Sequence, residues 1–334
     1  MSKPSSNMLD GFVFFADSLI FNDMDLWILL SLLGGVLQAF RVAGQRLLAK
    51  SVPLSRVAPS DAASPFARVV LGIPVVAGIL LLVSQSEGVS LTPLIKGRHL
   101  GTFWLWILLV AMSQIAATVL QTRLVSRRNF ALGVMYVKVL IPAAAIFGVV
   151  FFGDSFGLLE WAAIAMGTLG LILLSYGKVA GKPDLQWDWM TVWFGLGAGF
   201  LLAITGLAAR EASAVLPQNL MGPITRGVAA LLCTVVVQFI VCTLYIAVRD
   251  PREFLDLFDR WWIVLNTSLF SIASSLCWFI AFTLAHPALV NLVGQSEFFF
   301  ALGISIIFFR DWPTRGEIIG MAIMALAILA LLWH

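Results

Sequence analysis

The residues of this sequence best placed to do chemistry are ionisable and amide side chains set inside long apolar runs. Polar groups at membrane depth are costly and face a cavity or a partner. Gly34, Gln38, Arg41 and Gln45 recur every three to four residues, so they share one face of a helix. That stripe either lines a central cavity or forms a polar packing face. The stretches SPFAR (64–68) and GPITR (222–226) each set an arginine, Arg68 and Arg226, about one turn inside an apolar run. Each arginine either lines the cavity or snorkels to headgroups. Lys138 and Glu297 lie deeper, as a pair that either neutralises itself or binds substrate or a coupling proton. Asn291 and Gln295 stand four apart and suit hydrogen bonding to a polar solute. Ser271, Ser275 and Trp278 form a similar face, although serines in membrane helices commonly bond their own backbone. Arg41, Arg68, Lys138 and Arg226 outweigh Glu297, which favours a solute carrying a carboxylate or phosphate.

This is the chemistry of recognition rather than of bond making. There is no HExxH, no Walker-type glycine loop and no GxSxG elbow. His99, His286 and His334 lie far apart, and His286 before Pro287 reads as a turn residue. Cys233, Cys242 and Cys277 sit in apolar runs and read as packing residues. No catalytic residue, cofactor or metal is expected. The net charge of +3 is small, and no nucleic-acid partner is expected.

The elements that hold these residues must be membrane helices. The chain is 60% hydrophobic and 12% charged, with a mean hydropathy of +0.97. A soluble domain is nearer half apolar and a quarter charged. Windows of about 20 apolar residues predict ten spans: 26–48, 65–84, 102–124, 130–152, 157–176, 190–210, 219–247, 261–285, 288–309 and 315–333. Residues 1–25 form a leader that is interfacial or disordered, without a cleavable signal pattern. The polar stretch 177–189 separates the segments 26–176 and 190–334.

These segments repeat with an offset of about 157 residues. Trp104 falls on Trp261, Ile115 and Ala116 on Ile272 and Ala273, and FFGDSFGLLE (151–160) on FFRDWPTRGE (308–317). Pro65 and Arg68 fall on Pro223 and Arg226 with a shift of one, and Arg46 meets Arg210 across the first helix of each half. Five spans is an odd number, so two tandem copies lie upside down to each other, an arrangement of transporters with a midplane site. The fold class expected is an all-α integral membrane protein of two inverted five-helix repeats.

The stretches 131–174 and 288–332 each carry an apolar helix, a short acidic turn and a Gly/Ala-rich helix. In this they resemble the EamA-type ten-helix branch of the drug/metabolite transporter superfamily, over nearly the whole chain after residue 25. Aspartates, Asp154 and Asp311, stand at the turn where that family usually has glutamate, and Pro142 is matched by Phe299. Lys138 is similar to a lysine on the equivalent helix of nucleotide-sugar transporters of the same superfamily. The resemblance implies alternating-access secondary transport of a small polar or amphipathic metabolite, with efflux of amino acids or related compounds as the default. The basic residues point to an alternative, import or exchange of an anionic metabolite such as a carboxylate or a phosphorylated or nucleotide-linked compound. A non-transporting sensor or scaffold is the alternative of another class.

The partners expected are the metabolite, the lipid bilayer and a coupling proton, with Glu297 and Lys138 in coupling or gating. A monomer is expected, because the duplication supplies its own pseudo-symmetry. Roughly thirteen Lys and Arg flank the loops on one side, against roughly four on the side of the termini. The count places both termini outside the cytoplasm of an inner-membrane protein, whereas the resemblance implies termini inside.

Overall fold

The computed structural model describes residues 23–50, 63–125, 136–179, 189–299 and 314–333, with side chains at 26–41, 63–124, 136–174, 189–299 and 314–333. The helices are α1 (Asp23–Lys50), α2 (Ala63–Val69), α3 (Gly72–Ser86), α4 (Leu100–Val125), α5 (Leu140–Phe147), α6 (Leu158–Val179), α7 (Trp189–Val215), α8 (Pro223–Arg249), α9 (Glu253–Phe258), α10 (Trp261–Leu284), α11 (Pro287–Gly294) and α12 (Arg315–Leu332). No strand occurs among the described residues.

Six helical segments are long and apolar enough to cross a membrane: Ala63–Ser86, Leu100–Leu124, Trp189–Val215, Pro223–Arg249, Trp261–Leu284 and Arg315–Leu332. Leu26–Arg41, Leu140–Phe152 and Leu158–Leu174 are shorter apolar helices. The outer faces carry exposed Leu82, Leu105, Val150, Trp193, Leu244 and Val248, an apolar surface suited to a bilayer. The helices are consistent with a multi-pass membrane protein. Residues 1–22 of the expected leader, the expected turn at Asp311 and most of the linker lie outside the described residues. Helix α6 runs to Val179, so the linker starts later than its polar composition predicts.

Three of the expected spans are interrupted, and proline explains two of the breaks. Pro74 has no N–H and its ring meets the carbonyl four residues back, at Val70. The helix breaks there, between Val69 and Gly72. Ser268 on α10 covers the break: its hydroxyl accepts from the Leu71 amide at 3.2 Å and donates to the Arg68 carbonyl at 3.4 Å. Side chains of neighbouring helices commonly re-satisfy such freed groups. Pro142 acts in the same way on Lys138, and the chain makes a turn at Lys138–Val139 before α5 begins. A matching turn follows α11 at Gln295–Ser296, where no proline stands. Further on, α5 widens into a π-turn over Gly148–Phe152 and closes at Gly153, whose φ of 69° is open to glycine.

The main helix pairings are α1 with α10, α4 with α7, and α6 with α12. In addition α5 packs on α7, α11 on α1, α8 on α3 and α4, α10 on α2, and α11 on α5. Helices α6 and α12 meet at Gly170 and Gly320, where a Cβ on Gly320 would come within 2.7 Å of the Gly170 carbonyl oxygen. Such close backbone approach is how helices associate in lipid. Two large apolar clusters result, beside a smaller one around Phe66, Ile246 and Leu257. One joins α3, α4, α8 and α10 around Phe103, Leu231 and Phe279, and the other joins α5, α6, α7, α11 and α12 around Ile141, Leu171 and Leu292.

Candidate substrate cavity

Between the two clusters lies a cavity of about 60 Å³. Its wall combines Gln38 and Arg41 of α1, Arg68 of α2, Gln114 and Gln121 of α4, Thr205 of α7, Ser274, Ser275 and Trp278 of α10, and Asn291 with Gln295 at the α11 end. Phe279, Phe282, Leu140 and Leu202 complete it. The volume admits a few waters and falls well below the roughly 300 Å³ at the low end of small-molecule sites.

Of the twelve residues expected from the sequence to recognise or couple a solute, the cavity gathers Gln38, Arg41, Arg68, Ser275, Trp278, Asn291 and Gln295. Arg41 is 6% exposed and Arg68 is 8% exposed. The Arg68 guanidinium donates through Nη1 to the Thr118 hydroxyl. Thr118 in turn donates to the Gln114 carbonyl at 2.7 Å. The Arg68 Nε has no partner among the described residues. Ser271 faces an adjoining void of about 10 Å³ that it shares with Arg68, Gln114, Gln238 and Ser275, and its hydroxyl is also unpartnered there. Trp278 donates from Nε1 to Ser274 at 3.1 Å, and Ser274 donates to the Gly34 carbonyl at 3.0 Å, which fixes the indole against the cavity. Asn291 spends its amide N–H on the Pro287 carbonyl at 2.7 Å.

Lys138 and Glu297 meet, at 3.3 Å, but beside the cavity rather than in its wall. The Lys138 ammonium also donates to Gln295 Oε1 and lies 4.8 Å from the Phe298 ring centroid. Gln295 is therefore engaged at both ends, since its Nε2 donates to the Asn291 carbonyl at 3.1 Å.

Arg226, expected either to line the cavity or to snorkel to headgroups, is not among the residues of the cavity wall. It lies away from the cavity at the start of α8 and donates from Nη1 to the Ser213 carbonyl at 3.2 Å, with Glu87 in electrostatic reach. Glu87 itself accepts from the Thr225 hydroxyl at 2.6 Å and seats on the N-terminus of α8. Helix α8 is unbroken, so its arginine stays in the first turn, at the mouth of the helix. The side chain of Gln45 lies outside the described residues.

Gln114, Gln121, Thr205 and Ser274 are cavity residues that the sequence reading does not single out. Gln114, Thr118 and Gln121 recur at i, i+4 and i+7, the same signal as the stripe on α1, and would have been found by it.

A second polar cluster closes one end of the helices. Asp154 accepts from Arg210 Nη1 and from His286 Nε2, each at 3.0 Å, and Arg210 also pairs with Glu211 at 2.9 Å. His286 Nδ1 accepts from the Ala288 amide at 3.1 Å, so it caps α11. Burial first and the Arg210 charge second push the His286 imidazole down to about 4, against the opposing pull of Asp154.

No family model and no curated protein matches the chain. Solved structures do match in shape. One, described only as "Crystal structure of protein", has a TM-score of 0.62 at 12% identity, over 92% of this chain and 96% of that one. At that identity the likeness is one of fold, and it extends over nearly the full course of both chains.

Proposed function

We propose that the chain is a secondary active transporter with ten spans in two inverted repeats, similar to the EamA-type branch of the drug/metabolite transporters. It moves a small polar or amphipathic metabolite by alternating access around the cavity. The observation that carries this reading is the contact of Lys138 with Gln295. The two positions lie 157 residues apart, the repeat offset, and each falls at a turn that interrupts its helix. Equivalent residues of two related halves touch where the axis relating the halves passes. Interrupted helices meeting at such an axis are where transporters of this architecture bind cargo.

The helix pairings support the same reading. Exchanging α1, α2–α3, α4, α5 and α6 for α7, α8, α10, α11 and α12 turns the α1–α10 pair into α7–α4, the α5–α7 pair into α11–α1, and α8–α4 into α2–α10. The small cavity volume fits a contracted state between two open ones. Amino-acid efflux is what the resemblance implies. Arg41 and Arg68 in the wall favour the alternative, an anionic metabolite. Glu297, next to Lys138, is the group assigned to a coupling proton. Counterflow in proteoliposomes tests the proposal: preloaded unlabelled cargo should accelerate uptake of the labelled compound. Binding without flux would make the protein a sensor or scaffold. In counterflow, Glu297→Gln is expected to lose the dependence on a pH gradient while the protein stays folded. Retained dependence rejects the coupling role.

A further inference from the structure

We infer that the cavity, once widened from its contracted volume of about 60 Å³, takes a small organic anion whose oxyanion head, a carboxylate or a phosphate, sits between Arg41 and Arg68 and whose apolar body lies against Trp278 and Phe282. The inference deepens the transporter reading and rests on it only in treating the bound anion as cargo.

Three observations converge. The first is the uneven matching of buried cations with acids. Arg210 has Asp154 and Glu211, and Arg226 has Glu87 within reach. Lys138 has Glu297. Arg68 has a threonine hydroxyl, a neutral partner that holds the guanidinium without neutralising it. No carboxylate lines the cavity among the described residues. Arg41 is within electrostatic reach of Glu297, which Lys138 already holds. Arg41, Arg68 and Lys138 set against Glu297 leave two positive charges in excess. An uncompensated buried charge is costly, and an anion between the two arginines offsets that cost.

The second observation is geometric. Arg68 is more than nine-tenths buried, and its Nε, an N–H donor, has no acceptor among the described residues. The unpartnered Ser271 hydroxyl shares with it the void that adjoins the cavity. Two orphaned buried groups side by side mark a place for an acceptor atom. The third concerns the remaining wall. Trp278 and Phe282 stack with centroids 5.8 Å apart and present an apolar face, while Gln38, Gln121 and Asn291 offer neutral hydrogen-bonding groups to a substituent. Apolar walls with a few placed polar groups are how small-molecule sites combine affinity with orientation.

The test uses the full-length protein in detergent micelles and four probes of one shape: phenylacetate, phenyl phosphate, phenylacetamide and phenethylammonium. Saturating phenylacetate or phenyl phosphate is expected to raise the apparent Tm by about 2–5 °C, and the neutral and cationic probes to leave it unchanged. The stronger of the two anions identifies the head group. Arg68→Gln is expected to weaken the anion about 10- to 100-fold, as the loss of a hydrogen bond to a charged group does. Arg252→Gln, an exposed change of equal charge, should not weaken it. Equal stabilisation by the amide or the amine, stabilisation by neither anion, or full affinity in Arg68→Gln would overturn the inference. If Arg68→Gln does not fold, the comparison of the four probes on the unaltered protein still decides. Stabilisation by the anions without counterflow would leave this inference standing and remove the transporter reading.

Discussion

The two Pro-x-x-Arg stretches share a motif and end in different places. Arg68 is buried in the cavity wall and held by Thr118, and its Nε, like that of Arg226, has no partner among the described residues. Arg226 is half-buried at the start of α8, on the Ser213 carbonyl and near Glu87. The difference starts six residues further on. Pro74 breaks the first helix at Val70–Leu71, whereas the position corresponding to it in the second stretch is Leu232, inside an unbroken helix. The same Pro-x-x-Arg motif thus ends in two environments, a cavity wall and the mouth of a helix. One neighbouring proline redirects the backbone, and among the described residues an acid, Glu87, stands near only one of the two arginines.

If that contrast is right, removing a matched charge and removing an unmatched one should have opposite effects on stability. Lys138→Met leaves Glu297 buried without its cation and is expected to cost about 3–5 kcal/mol in thermal or denaturant melts. The double variant Lys138→Met with Glu297→Leu should recover most of that loss. Arg68→Gln strands no acid, so without ligand it should be neutral or stabilising. A loss as large as that of Lys138→Met would show that Arg68 has a hidden acidic partner.

The acid-matched cluster at the end of the helices gives the next effect. His286 titrates at about 4 in the folded protein against about 6.5 ordinarily, so the fold favours its neutral form. Its contribution is complete above about pH 6.5 and is lost as the pH falls towards 4, because the unfolded chain takes up the proton first. The loss is about 3 kcal/mol at most. It should be visible as a fall in Tm between pH 7 and 4.5 that is shallower in His286→Asn. An equally steep fall in that variant would assign the acid sensitivity to other groups.

The helix break itself is probed by Ser268→Ala, which strands the Leu71 amide and frees the Arg68 carbonyl. The expected cost is about 1–3 kcal/mol, together with weaker binding of the anionic probes as Arg68 loses its position. The same substitution at Ser274 should affect Trp278 and leave the break intact.

Much of the cavity could be read from the sequence, because polar residues at helical spacing in an apolar run have few places to go. Gln38 with Arg41, and Asn291 with Gln295, follow that rule. Gln114, Thr118 and Gln121 obey it equally, although their uncharged groups make a weaker signal inside an apolar run. Arg226 shares its Pro-x-x-Arg context with Arg68 but not its surroundings: Glu87 is 139 positions away in the chain, and only the packing of α3 on α8 brings it near. Span counting worked for continuous helices such as α8 and α10. It could not foresee that α5 and α11 would be short, because an apolar window does not register a turn at Lys138 or Gln295. Pro142 announced the first of these turns, whereas the second has no proline and depends on its contact with the first.

The most direct measurement is the reach of a thiol reagent to the cavity from each side of the membrane. Ser275 lines the cavity, so Ser275→Cys is placed in a chain whose Cys233, Cys242 and Cys277 are replaced by alanine, reconstituted in oriented vesicles and treated with a membrane-impermeant maleimide. Alternating access predicts labelling from one side in the absence of anion and a shift towards the other side when the stabilising anion is present on one face only. Labelling confined to one side under every condition, or no labelling from either side, would contradict it.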